Sequence, residues 1–205
     1  MNAIEKIAGI FSKFPGIGPR QSKRFVFFLL TKGNDFLDEL IELLNKLKNE
    51  ILMCDSCRRF FPAGPKKEKI CNICADKNRD SSILMLIEKD TDLENLEKSG
   101  IYKGHYFVLG GNISVFEKNP EEKIRSKELV KKINESVKSG LKEIIIATSL
   151  NTEGENTMEF LIKLLGAMAQ KNSIKISTLG KGLSTGTELE YIDSETIKNA
   201  IQNRH

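Results

Sequence analysis

Four cysteines in two close pairs are the residues whose types and spacing point most directly to chemistry. Two residues separate Cys54 from Cys57 and Cys71 from Cys74, and thirteen residues lie between the pairs. Two such pairs can converge on one tetrahedral Zn²⁺. Because four sulfur ligands leave no open coordination position, the metal would be structural and would add folding free energy to its segment. We therefore expect one structural zinc per chain and no metal-activated water.

The same cysteines could instead form a redox pair or hold an iron–sulfur cluster. Neither alternative has the sequence context that it needs. The two histidines of the chain, His105 and His205, lie far along the sequence from the cysteines, and we interpret them as structural or solvent-exposed residues.

A glycine turn followed by basic residues is the second candidate site. In FPGIGPRQSKR, Gly16 and Gly18 separate two stretches of helical periodicity. The turn and the first N–H groups of the following helix can hold a phosphate, and Arg20, Lys23 and Arg24 could pair with further phosphates. The pattern resembles a helix-hairpin-helix, which grips a nucleic-acid backbone without reading its sequence. The alternative is an ordinary helix–helix connection with a solvated basic face.

The third candidate site is a strand end, where open α/β sheets usually carry their ligands. The segment IIIATSLNTEGENTMEF resembles the acidic motif of the Toprim domain of topoisomerases, primases and related nucleases. Ser149 and Asn151 hold the two positions at which that motif carries aspartates. Neutral side chains in place of two anions should weaken Mg²⁺ binding severely, so Mg²⁺ is expected to be weakly bound here or absent.

Acidic residues nevertheless remain at this degenerate site. Glu88 ends the first strand and matches the other Toprim acid, Asp92 follows it, and Glu153 lies beside the changed positions. They could hold a weak ion, or they could be solvated charges at strand ends. The chain has no P-loop motif, and the glycines of the run 180–186 have the wrong spacing for a dinucleotide loop.

Periodicity indicates which elements position these sites. Helical spacing of apolar residues predicts helices over residues 2–12, 20–30 and about 37–52, whereas residues 54–80 lack such spacing. Short apolar runs predict strands at residues 83–88, 105–109, 143–148 and 174–179. Helical stretches alternate with these strands, and Ser194 is expected to cap a last helix. The sequence therefore predicts an α/β fold with a mainly parallel sheet flanked by helices.

Four regions follow from these patterns. They are a region that resembles a helix-hairpin-helix (1–53), a four-cysteine zinc finger (54–80), a region that resembles a degenerate Toprim domain (81–180), and a C-terminal segment with a short strand and a helix (181–205). The family resemblance described below implies DNA binding for the first region and oligomerisation for the first and the last.

Composition adds weak constraints. The 205 residues include 32 basic and 28 acidic side chains, and the net charge of +4 is only a mild indication of a polyanionic partner. No stretch reaches the roughly 18 apolar residues that a membrane span needs, so no membrane partner is expected. The protein is expected to be cytoplasmic, where closely paired thiols are more often metal ligands than disulfides.

The order of the three modules resembles the RecR family of bacterial recombination mediators over the whole chain. The pieces that carry the resemblance are FPGIGPRQSKR, GHYFVLGG, ATSLNTEGENT and GTELEYID. Some positions depart from the family pattern. Tyr106-Phe107 stands where the family usually has Tyr-His, Thr178 where an arginine is common, and Ser184-Thr185-Gly186 where the family has Pro-Val-Gly.

This resemblance implies a non-catalytic, zinc-containing protein that binds single- and double-stranded DNA. It implies a homo-oligomer, from a dimer to a tetrameric ring able to encircle DNA, with Arg20 and Arg24 at the family's DNA-contacting positions. It also implies partnership with RecO, and with RecF where present, in loading RecA onto single strands coated by SSB. A ring would let several weakly basic surfaces act together.

Two other functions are compatible with parts of the sequence. An active Toprim nuclease or primase could use the zinc knuckle to grip a template, although Ser149 and Asn151 argue against it. A zinc-knuckle protein adaptor could use the helical N-terminal region for self-association alone. Metal-dependent nuclease or primer synthesis would favour the enzyme, and a lack of salt-dependent DNA affinity would favour the adaptor.

Overall fold

A computed structural model describes residues 1–66, 68–180, 183, 186 and 188–202. The chain divides into two compact units, Met1–Leu52 and Met53–His205. The first unit is helical. The second contains the cysteine pairs and the parallel sheet.

Three helices make up the first unit: α1 (Ala3–Phe11), α2 (Pro19–Thr31) and α3 (Asn34–Glu50). Helices α1 and α2 pack against each other through buried Ala8 and Val26. Helix α3 has no buried residue, and its apolar side chains remain largely exposed. The predicted helices are thus present, with bounds shifted by a few residues because helix ends depend on capping.

The segment that carries the cysteines has little regular structure, as expected from its lack of apolar periodicity. Strands β1 (Ile51–Met53) and β2 (Phe60–Pro62) form a two-stranded sheet, and α4 (Asn72–Ala75) is a single turn that begins after Cys71.

A four-stranded parallel sheet forms the centre of the second unit. Its strands are β3 (Asp80–Ile87), β4 (Gly104–Val108), β5 (Glu143–Ala147) and β6 (Lys175–Thr178), in the order β4-β3-β5-β6. All three strand pairs are parallel. The helices between the strands are α5 (Asp90–Ser99), α6 (Pro120–Lys123), α7 (Ser126–Lys138) and α8 (Thr152–Lys171). The predicted fold class is confirmed.

The core of this unit lies between the sheet and its helices. Leu86 of β3 and Phe107 of β4 are fully buried and belong to one cluster with Ile133 of α7 and Leu161 of α8. Strands in such a sheet are covered on both faces, so their sequences are nearly continuous apolar runs. This packing places the ends of β3, β4 and β5, where the candidate Toprim residues lie, at one edge of the sheet.

The end of the chain is helical among its described residues. A 3₁₀ turn (Leu189–Tyr191) precedes α9 (Ser194–Gln202). Asp193 caps α9, because its side chain accepts hydrogen bonds from the N–H and the hydroxyl of Thr196 at 2.9 and 2.7 Å. The prediction that Ser194 is the cap was therefore wrong by one residue. The described residues after Thr178 include no strand, and most of the run 181–185, like His205, lies outside the described residues.

Candidate metal centre and nucleic-acid interface

The two cysteine pairs converge on one point. The sulfur atoms of Cys54, Cys57, Cys71 and Cys74 all lie within 4.8 Å of one another. The Cys57 and Cys71 sulfurs are 3.6 Å apart, and both residues are fully buried. A tetrahedral site with Zn–S bonds of about 2.3 Å requires sulfur–sulfur separations of about 3.8 Å. The four cysteines can therefore bind a metal ion such as zinc.

Backbone hydrogen bonds hold each pair in a tight turn. The Cys54 N–H donates to the Arg59 carbonyl at 2.8 Å, and the Arg58 N–H donates to the Cys54 carbonyl at 3.0 Å. In the second pair, the Ala75 N–H donates to the Cys71 carbonyl at 3.0 Å. The Cys71 N–H also points at the Cys54 sulfur, 3.4 Å away, as a donor to a thiolate should. The residues present fit a structural metal.

The acidity of the thiols agrees with this arrangement. A hydrogen bond from Cys57 holds the pKa of the Cys54 thiol far below its ordinary value. The same pairing, together with burial, raises the pKa of the Cys57 thiol. Within the same cluster the pKa of the Cys71 thiol is also lowered and that of the Cys74 thiol is raised. Two of the thiols can therefore ionise readily, whereas ionising all four requires a cation among them.

Hydrogen bonds attach the first cysteine turn to the parallel sheet. The Val108 N–H, at the end of β4, donates to the Cys57 carbonyl at 2.8 Å. The Arg125 guanidinium donates to the Arg58 carbonyl at 2.8 Å and to the Val108 carbonyl at 3.0 Å. Arg125 thus bridges the first cysteine turn and the sheet edge. This residue could not be predicted from the sequence, because an arginine in a long connection carries no local pattern.

Two further contacts attach the same turn to helices of the sheet domain. The Phe60 N–H donates to Asp90 Oδ1 at 2.8 Å, at the start of α5. Lys132 Nζ of α7 donates to Ser56 Oγ at 2.7 Å. A bound metal would therefore stabilise both the cysteine segment and the sheet edge that it contacts.

The predicted turn between α1 and α2 is present. Gly16 has a φ of +76°, a conformation that favours glycine, and Gly18 is the extended N-cap of α2. Pro19 begins α2, as prolines often do. Within residues 1–66, the N–H groups of Gly18 and Arg20 donate to no protein acceptor. Free N–H groups at a helix start are suited to an anion.

The basic residues after the turn are all on the surface. Arg20, Lys23 and Arg24 are exposed, and the Arg24 guanidinium donates to Gln21 Oε1 at 3.5 Å. Arg20 and Arg24 are four residues apart and so lie on one face of α2.

At the Toprim edge, Ser149 satisfies the buried carboxylate that a metal would otherwise contact. Glu88 is 3% exposed and accepts hydrogen bonds from both the N–H and the hydroxyl of Ser149, the latter at 2.8 Å. The Gly110 N–H also donates to the Glu88 carbonyl at 2.9 Å. A serine at an aspartate position thus supplies a hydrogen-bond donor where the Toprim motif supplies a second anion.

Asn151, at the other aspartate position, has a structural role. Its side chain caps α8 by accepting a hydrogen bond from the Gly154 N–H at 2.8 Å. Gly154 is required here, because a Cβ would lie 2.0 Å from the Ser149 carbonyl oxygen. The two changed positions are therefore built into the turn between β5 and α8.

The structure does not bring the three predicted acidic residues together. Asp92 accepts a hydrogen bond from the Lys89 N–H at 2.9 Å at the start of α5, and Glu153 is exposed in the first turn of α8. Among the described residues, the four cysteines form the only close group of three or more His, Cys, Asp or Glu side chains that could hold a metal ion. His105, on β4, is half-buried, and burial lowers its pKa.

Comparison with known proteins identifies the family of this chain. Residues 82–180 match the model of the Toprim domain, and residues 182–205 match that of the RecR C-terminal region. A Bifidobacterium adolescentis protein named "Recombination protein RecR" is 34% identical, with 98% of this chain and 95% of that protein covered. The chain belongs to the RecR family.

Other RecR proteins match over similar lengths. The protein from Bdellovibrio bacteriovorus is 30% identical over 100% of this chain and 97% of its own length. The protein from Chloroherpeton thalassium is 32% identical over 99% of this chain and 96% of its own length. The RecR resemblance thus covers the hairpin and the cysteine pairs as well as the Toprim region. No helix among the described residues is long and apolar enough to cross a membrane.

Proposed function

We propose that this protein is a non-catalytic recombination mediator that binds DNA through its hairpin. The observation that carries the proposal is the turn at Gly16 and Gly18, whose free N–H groups precede exposed Arg20 and Arg24 in a chain of the RecR family. Phosphates are common to all DNA, so contacts of this kind bind single and double strands without sequence preference. Lys23 adds a third cation on the same helix.

The Toprim region then acts as a scaffold without metal-dependent catalysis. Support comes from Glu88, whose carboxylate is occupied by Ser149, and from Asn151, whose side chain caps α8. A hard cation such as Mg²⁺ needs several carboxylate oxygens close together. Among the described residues, Asp92 and Glu153 do not form such a group with Glu88. We take the ion held by the four cysteines to be one structural Zn²⁺ per chain, because sulfur ligands in a closed site favour zinc.

In the cell, the protein would act with RecO, and with RecF where it exists, to load RecA onto SSB-coated single-stranded DNA. It would do so in the cytoplasm as a dimer or a tetrameric ring. An oligomer would explain how a chain with a net charge of only +4 binds DNA. Several hairpins that hold one strand together bind far more tightly than one, because each further contact is intramolecular.

The experiment that tests the hairpin is the double substitution Arg20→Ala and Arg24→Ala. DNA affinity should be measured at several salt concentrations. Each phosphate contact contributes about 0.9 to the salt slope on duplex DNA, so the slope should fall by about 1.8 for each hairpin engaged. The matched control is Lys46→Ala with Lys48→Ala, which removes the same charge from α3 and should change the slope less.

An unchanged salt slope in the arginine variant would remove the hairpin from the DNA site. Nuclease or primer-synthesis activity with Mg²⁺ or Mn²⁺ that is abolished by Glu88→Gln would favour an active Toprim enzyme. A protein with no salt-dependent DNA affinity would be a zinc-knuckle adaptor. Light scattering combined with zinc quantification tests the oligomeric state and the metal content. A tetramer with one zinc per chain is expected.

A further inference from the structure

A cavity of about 700 Å³ lies beside the cysteine turns and is not part of the metal centre. None of the four cysteines lines it. Its walls come from β2, from the connection that follows β2, and from the start of α4. The volume falls in the range of about 300–1,000 Å³ that is typical of sites for small organic groups.

The floor of the cavity is apolar. It is formed chiefly by Phe61, Pro62, Pro65 and Ile70. Phe61 is 8% exposed and thus packed in place, whereas Ile70 is 41% exposed and available for contact. Flat or branched apolar groups of this kind favour a flat, weakly hydrated ligand over a sugar or a free ion.

Among the described residues that line the cavity, two are cations. They are Arg59 and Lys66, against one acidic residue, Glu68. Lys66 is exposed and Arg59 is half-buried, so both charges favour an anionic ligand at this cavity. The segment 54–80 also holds seven basic and four acidic residues, a net charge of +3.

We infer that this cavity binds an unpaired base of single-stranded DNA, with the flanking phosphates at Arg59 and Lys66. The inference rests on the proposed function, which brings a DNA strand to this protein. A nucleotide meets both requirements of the cavity, since its base is flat and its phosphates are anionic. A base within a duplex is stacked on both faces and cannot enter, so the cavity would distinguish single strands from double strands.

The first test uses the full-length, zinc-loaded protein with two probes of equal charge. Oligothymidylate should bind at least about fivefold more tightly than an abasic strand of the same length, because each inserted base contributes about 1 kcal/mol or more. Equal affinity for the two strands would overturn the inference.

Variants of the cavity locate the effect. Ile70→Glu places an anion on the floor and should abolish the preference for the strand with bases. The matched control is Ile162→Glu on α8, since Ile162 is 42% exposed and lies outside the cavity. Lys66→Ala should lower the salt slope on a single strand by about 0.7, whereas Lys77→Ala, an exposed lysine of the same segment, should leave it unchanged. Zinc content measured on every variant shows whether the cysteine turns are intact.

Crosslinking of a 5-iodouracil oligonucleotide provides a readout that survives a folding defect in any one variant. Crosslinks within residues 59–75 of the wild type would support the inference, and crosslinks confined to residues 1–52 would overturn it. An acidic peptide that binds in an Ile70-dependent way, with oligonucleotide binding unchanged by Ile70→Glu, would assign the cavity to a protein partner. If only the inference about the cavity is wrong, the protein still binds DNA in a salt-dependent way that requires Arg20 and Arg24. If the proposed function is wrong, this DNA binding is absent as well.

Discussion

Ser149→Asp restores the first missing carboxylate of the Toprim motif and is expected to destabilise the protein unless a divalent cation is present. Ser149 Oγ donates to Glu88 Oε2 at 2.8 Å, and Glu88 is only 3% exposed. The substitution removes a hydrogen bond to a charged group, which costs about 1.5–3 kcal/mol. Two unit charges about 4 Å apart also repel by about 4 kcal/mol at an effective dielectric constant of 20.

We therefore expect the free energy of unfolding at pH 7 to fall by about 4 kcal/mol or more. The loss should shrink steadily as the pH falls from 7 towards about 4, because protonation of the introduced carboxyl removes the repulsion. Addition of 10 mM Mg²⁺ should recover about 1.4 kcal/mol if the new site binds it with a Kd of about 1 mM.

Urea unfolding followed by circular dichroism measures these changes, and Ser149→Asn is the matched control without the added charge. The m-value should be the same for both variants, since the surface exposed on unfolding is unchanged. Equal stability of the Asp and Asn variants at pH 7 would refute the argument that Glu88 is a buried anion satisfied by Ser149. An equal response of the wild type and the Asp variant to Mg²⁺ would refute the loss of the metal site.

Three further predictions concern the elements around these sites. Gly154→Ala should lower the free energy of unfolding by about 2–3 kcal/mol, because the new Cβ would lie 2.0 Å from a backbone oxygen. Gly166→Ala, which has open space around it in the same helix, should raise the free energy of unfolding by about 0.5–1 kcal/mol. Similar urea midpoints for the two variants would contradict this. Cys71→Ser should lower the zinc content below one per chain. It should also speed hydrogen exchange at the last amide of β4, which donates a hydrogen bond to the cysteine segment. Unaltered exchange would mean that the metal does not support the sheet edge. Arg125→Ala should cost about 2 kcal/mol, since it leaves two carbonyls without their charged donor, and Lys127→Ala, an exposed neighbour, should be close to neutral.

Much of the fold followed from local sequence patterns. The apolar runs predicted all four strands of the parallel sheet to within a few residues, because strands covered on both faces must be apolar along their length. The spacing of Cys54, Cys57, Cys71 and Cys74 likewise predicted a cluster, and the structure brings their sulfurs within 4.8 Å. Tight turns are encoded by neighbouring residues, so the hairpin at Gly16 was also visible from the sequence.

What the sequence determined by itself was the strands of the parallel sheet, the three N-terminal helices, the paired thiols and the absence of the two Toprim aspartates. Only the tertiary structure decided which distant residues meet. Glu88 contacts Ser149 across 61 positions, and Arg125 contacts Arg58 across 67. Such pairings depend on strand order and helix packing, which are set by burial summed over the whole core and leave no local pattern at either residue. For the same reason, the cavity beside the cysteine turns could not be predicted, since its lining residues become neighbours only once the segment has folded.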